Sequence, residues 1–145
     1  MRLRSALLFV IGSYACGGSD YQVWTDAPPT DSNTQAAVAR WTLNSSDCPG
    51  DETLPPTFES SGSVTIEEDR IQIGLTTMPV LTGRLDSGRA QVSGVTQFWQ
   101  EEWITCTVNG TAEVTNNLVV AQVGEALTSE STLNCNQDWR VELEF

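Results

Sequence analysis

Neither lysine nor histidine occurs anywhere in the chain. Without an imidazole, Ser-His-Asp and Cys-His catalytic groups and histidine-ligated metal sites are ruled out. Positive charge is scarce altogether: seven arginines stand against 19 acidic residues, for a net charge of −12. Such a chain repels nucleic acid, whose phosphates need a basic surface. The four cysteines include no C-x-x-C pair, which argues against a cysteine metal site and, more strongly, against a redox role. The apolar run at 6–11 falls far short of the ~20 residues that a transmembrane helix needs. Helical periodicity over a helix-sized window, internal repeats and low-complexity tracts are missing too.

Threonine (17) and serine (13) are abundant, and threonine suits a half-exposed pleated surface. A length of 145 residues with 39% apolar content fits one domain with a modest core and a short appendage.

The appendage comes first. Arg2 and Arg4 form a positive region, and Ala6-Leu7-Leu8-Phe9-Val10-Ile11 a short apolar one, the layout of an export signal over residues 1–15. The run Ser13-Tyr14-Ala15-Cys16 resembles the lipobox of bacterial lipoproteins, with Ser13 where that family prefers leucine. The resemblance implies a thioether-linked diacylglycerol on Cys16, acylation of the new N-terminus and attachment to the cell envelope. In some enteric members an aspartate after the cysteine goes with inner-membrane retention; Gly17 stands there instead, which points to the outer membrane. Ser13-Tyr14-Ala15 also fits ordinary secretory cleavage, which would leave Cys16 unlipidated. Once the signal is removed, five arginines remain against 19 acids, a side-chain balance of −14. Anionic lipid headgroups repel such a surface, so membrane attachment must come from the lipid itself.

Residues 16–35 read as a lipid-anchored flexible linker, with Gly17-Gly18 and Pro28-Pro29 as its markers. From 36 to 145 the pattern turns to period two, broken by turn residues, which predicts an all-β antiparallel domain. We read eight strands, at about 37–44, 62–67, 70–75, 80–85, 89–99, 102–114, 118–123 and 137–145. The second and third, fourth and fifth, and sixth and seventh join in tight hairpins. The other connections, including 45–61 and 124–136, carry the longer loops and gather at the opposite end of an up-and-down meander. This layout resembles the lipocalin-like barrel, without that family's Gly-x-Trp opening, since the first strand reads Val38-Ala39-Arg40-Trp41. Closure into a barrel removes exposed strand edges; a β-sandwich is the alternative. Strand parity turns Trp41, Val64, Ile66, Ile71, Ile73, Val92, Phe98, Val108, Trp139, Val141 and Leu143 toward the barrel interior. The chain enters the first strand at the tight-turn end, so the long-loop end should point away from the membrane.

Lipidation of Cys16 leaves Cys48, Cys106 and Cys135 for one disulfide in an oxidising compartment. Parity favours Cys106–Cys135, with Cys48–Cys135 as the alternative and the odd thiol buried. Without the lipid, four cysteines allow two bridges.

The run Phe98-Trp99-Gln100-Glu101-Glu102-Trp103 supplies the candidate binding surface, Phe98, Trp99 and Trp103. Parity sets both indoles outward at a hairpin tip, where they could stack on a sugar or an apolar partner or simply brace the hairpin. Glycosidase chemistry needs two carboxylates flanking one bond, whereas Glu101 and Glu102 point to opposite faces. Glu67-Glu68-Asp69 matches no EF-hand spacing and reads as a solvated turn. Asn44-Ser45-Ser46 and Asn109-Gly110-Thr111 fit the glycosylation pattern, which a bacterial-type signal makes irrelevant.

The expectation is therefore a non-enzymatic cell-envelope lipoprotein with no metal and no cofactor. It binds a small apolar ligand, or an envelope protein, at the long-loop end of its barrel. The alternatives are a structural or interaction module with a packed core, and a carbohydrate-binding module using Trp99 and Trp103.

Overall fold

The computed structural model describes residues 33–49, 57–131 and 133–145. They form eight strands: β1 (Thr34–Ser46), β2 (Thr57–Glu67), β3 (Arg70–Leu75), β4 (Leu81–Asp86), β5 (Arg89–Gln100), β6 (Glu102–Thr115), β7 (Leu118–Ser129) and β8 (Asn134–Glu144). Each pairs antiparallel with the next, and β1 pairs with β8, so the meander closes into a barrel. That closing ladder, from Val38↔Glu144 to Ser46↔Gln137, gives the lipocalin-like architecture and removes the sandwich alternative. The signal (1–15), Cys16 and nearly all of the linker (16–35) lie outside the described residues.

Local chemistry sets the tight end. Glu68, Ser87 and Asn116 take positive φ (50, 52 and 49°) at the β2–β3, β4–β5 and β6–β7 turns, and Gly88 follows Ser87 at 78°. These turns reverse the chain within two residues. β1 starts at this end, where Thr34 lies opposite Thr65.

Closure also needs sharply coiled strands. A Cβ on Gly83 would sit 2.1 Å from the Gln91 carbonyl oxygen, and one on Gly110 would sit 2.0 Å from that of Gln122. At both points neighbouring backbones approach too closely for any side chain.

Strand lengths differ from the sequence expectation at the other end. β7 continues to Ser129 and β8 begins at Asn134, so most of the expected 124–136 loop is wall. β2 likewise begins at Thr57 rather than 62. The β5–β6 connection is no long loop: Gln100 pairs with Glu102, and the chain reverses at Glu101, whose φ is 61°. Meanwhile β3 and β4 have only six residues each, against 11 to 14 in the others. The wall is therefore tall along β5–β8 and low at β3–β4, where Met78 and Pro79 of the connecting loop tuck in and are buried.

The core is one continuous cluster along the barrel interior. Trp41, Val64, Ile71, Ile73, Val92, Val108, Trp139, Val141 and Leu143 are all buried in it, and Ile66 is half-buried against it. Small inward residues such as Ala39, Ala90, Ala112 and Ala121 alternate with these large ones, which lets the layers interlock inside a narrow barrel.

The disulfide joins Cys48 to Cys135, which corrects the preferred Cys106–Cys135 pairing. Leu127 of β7 lies opposite Cys106 on one side and Cys135 on the other. The two cysteines are thus two strand spacings apart, roughly 9.5 Å, beyond the ~7 Å that a bridge can span. Cys48 reaches Cys135 because the chain just past β1 still follows β8: the Asp47 N–H donates to the Asn136 carbonyl at 3.0 Å. Cys106 carries no free thiol either; it is disulfide-bonded, which corrects the expected buried odd thiol.

Candidate functional site

Most of the barrel interior is aliphatic, but its long-loop half is different. Trp41, Phe58 and Trp139 meet there in one aromatic group. Trp41 and Phe58 stack with ring centroids 5.3 Å apart, and Trp139 stands edge-on to both, at 5.6 and 5.8 Å. The Trp41 indole N–H donates to the Ser60 Oγ at 2.8 Å. The indole Nε1 of Trp139, equally buried, has no hydrogen-bond acceptor.

Among the described residues the inward face beside these rings fully buries two polar side chains, Glu125 and Gln137, each 1% exposed. They are direct partners in the β7–β8 register, and Trp139 follows Gln137 by two residues on the same face. Neighbours so placed lie about 4.5–8 Å apart. A carboxylate, an amide and an indole N–H therefore share one patch of the interior. Phe98, Cys106 and Leu127, all at 2% exposure or less, complete the surrounding wall.

Burying polar groups in an apolar interior costs several kcal/mol each unless they find partners. The patch can offer an N–H donor from Trp139, which has no acceptor of its own. The aromatic rings beside it present flat apolar faces.

Sequence reasoning placed Trp41 and Trp139 in this region but missed Glu125, Gln137, Phe58 and Ser60. The signal was available for β7: inward positions Val119, Ala121 and Val123 continue in step to Glu125 and Leu127. An acid at an inward position breaks the apolar pattern that marks a strand.

The aromatic tip splits between the two sides of the wall. Trp99 and Trp103 are 59% and 57% exposed on the outside, paired across the hairpin and edge-to-face at 5.6 Å. Phe98 points the other way and is buried in the barrel, so it leaves the candidate surface as a matter of strand parity. Glu101 sits exposed at the turn, while Glu102 accepts hydrogen bonds from Ser129 Oγ and Ser131 Oγ at 2.6 and 2.5 Å, bracing the β7–β8 connection. At the opposite end, Asp69 pairs with Arg84 at 2.9 Å and Glu67 accepts from Asn33 at 3.3 Å.

Among the described residues, Asp47, Cys48 and Cys135 bring three potential metal-ligand atoms within 4.8 Å. Both sulfurs are spent on each other, so the group presents no thiolate to an ion. Comparison with known protein families, curated proteins and solved structures returned no match, so the residues themselves carry the functional reading.

Proposed function

We propose that this domain binds a small, mainly apolar molecule in the long-loop half of its barrel, with one polar group of the ligand directed at the interior patch. The observation that carries this is the Trp139 indole N–H, buried and without an acceptor, beside Gln137 and Glu125. A ligand carbonyl or ether oxygen would give that N–H its partner, while the rings of Trp41, Phe58 and Phe98 hold the apolar body. The gain is large because an unmet buried donor costs about 1–3 kcal/mol.

Export and attachment to the cell envelope through Cys16, with the outer membrane preferred, belong to the same proposal and rest on residues 1–17 of the sequence. No catalytic role is part of it.

The test is titration with prodan, an environment-sensitive naphthyl ketone. Wild-type protein should give a saturable, roughly one-to-one isotherm with blue-shifted emission. Trp139→Phe keeps the ring and removes the N–H, and should weaken binding about tenfold, the equivalent of ~1.4 kcal/mol. Absence of saturable uptake would leave the barrel as a packed structural or interaction module. Unchanged affinity in Trp139→Phe would sink the proposed orientation.

A further inference from the structure

The outer wall of the barrel carries its charges unevenly, and the register shows how. On β5–β6–β7 the outward residues fall into lateral rows. Gln91 lies beside Thr111 and Gln122, and Ser93 beside Asn109 and Gly124. The next rows are Val95–Thr107–Ala126 and Gln97–Thr105–Thr128, and the last is the pair Trp99–Trp103. Not one of these fourteen positions is charged, although 18% of the chain is charged.

The face has defined ends. Below it the Arg89–Glu113 ion pair spans β5 and β6 at 3.0 Å; above it lie Glu101, Glu102 and Glu130. Of the other ion pairs among the described residues, Arg40–Glu59 lies across the barrel, whereas Arg84 of Arg84–Asp69 and Arg140 of Arg140–Glu142 flank the lowest row, beside Gln91 and Gln122. Eight residue steps at ~3.4 Å and two strand spacings give a strip roughly 27 Å long and 10 Å wide.

Its chemistry is amide and hydroxyl, with two indoles at one end. Gln97 Nε2 donates to Thr105 Oγ1 at 3.1 Å, and the amides and hydroxyls of the neighbouring rows are mostly exposed. Val95, at 65% exposure, is the largest aliphatic group on it. A protein interface needs a contiguous apolar centre, and a membrane surface needs more apolar area than this. An anionic partner is repelled by the chain as a whole, and a cationic one would settle on the acidic rims instead.

We propose that this strip binds a neutral glycan, an extended oligosaccharide or polysaccharide chain lying along β5–β7. Sugar hydroxyls exchange hydrogen bonds with the Gln, Asn, Thr and Ser side chains, which lose no ionic hydration on contact. The apolar face of a pyranose ring stacks on Trp99 or Trp103 at the tip. The site is separate from the barrel interior, and neither reading depends on the other.

Affinity electrophoresis tests this directly, with the whole chain in gels containing β-glucan, xylan, galactomannan or chito-oligosaccharides, and polygalacturonate as the anionic control. The expected result is retardation by at least one neutral glycan, unchanged between 0.1 and 1 M salt, since no charges are screened. Trp103→Ala and Thr107→Glu should each weaken it roughly tenfold or more. Ser61→Glu, exposed on β2 across the barrel from β6, should leave it unchanged, and circular dichroism melting would confirm that each variant is folded. Retardation by none of the neutral glycans, stronger retardation by polygalacturonate, or retention that survives Thr107→Glu would overturn the assignment.

Discussion

Trp41 and Trp139 meet edge to face inside the barrel at 5.6 Å, and only Trp41 has an acceptor for its indole N–H. The pair forms an internal comparison, because burial, ring size and surroundings are matched while hydrogen bonding is not. Replacement of either by phenylalanine costs some packing. Trp41→Phe also removes a buried hydrogen bond of about 1 kcal/mol, whereas Trp139→Phe removes a donor that has none. In urea unfolding of the ligand-free protein, Trp41→Phe should therefore be the more destabilising by about 1 kcal/mol. Ser60→Ala should reproduce part of that loss. Equal losses for the two tryptophans would mean that Trp139 is satisfied in solution.

The reach of the sequence differs between parts of this fold, for local reasons. The Asp86-Ser87-Gly88 turn is legible because glycine at a left-handed position is a short-range requirement. The outward setting of Trp99 and Trp103 is legible because alternation along a strand is strict. The tight turn at Glu101 is not, since Gln100-Glu101-Glu102 contains no glycine, proline or asparagine to mark it. The far half of β7 was hidden by its inward acid: with Glu125 facing the interior, the run from Gly124 to Ser129 reads as loop. Cys106 and Cys135 share a parity, yet parity cannot count the strands between them, and Leu127 lies in that gap. The interior polar patch was out of reach for the same reason, because it exists only once β7 and β8 are in register.

Gly110 offers a test of how tightly closure constrains the backbone. It faces inward on β6, between Val108 and Ala112. A Cβ there would overlap the Gln122 carbonyl oxygen and meet the Val123 Cα at 2.6 Å. Backbone in a central ladder cannot retreat without breaking its hydrogen bonds, so Gly110→Ala should cost more than about 3 kcal/mol. Gly124→Ala is the control: its nearest contact would be the Asp138 side chain at 3.3 Å, which can rotate away. Thermal melting should show the first variant strongly destabilised or unfolded and the second within a few degrees of wild type. Similar melting temperatures for the two would show that the β6–β7 ladder relaxes more freely than its register implies.

The cysteines link the fold to the export proposal. Cys48 and Cys135 close a separation of 87 residues, so replacing both with alanine should lower stability by about 2–4 kcal/mol. Cys106 is oxidised and fully buried, and Cys16 is the one cysteine of the four left to the chain. A single sulfur holds a thioether lipid or a disulfide, not both. Lipidated protein extracted from its membrane should therefore yield one thiol on alkylation after denaturation, at Cys106, and none before it, because the folded barrel shields that position. Secreted, unlipidated chain should yield none under either condition. Intact-mass measurement separates the two forms, and peptide mapping locates the alkylated residue. A lipidated mass with no thiol after denaturation would mean that Cys106 bridges to another molecule. A thiol at Cys48 or Cys135 would contradict the pairing beside β8 and with it the path of the chain past β1.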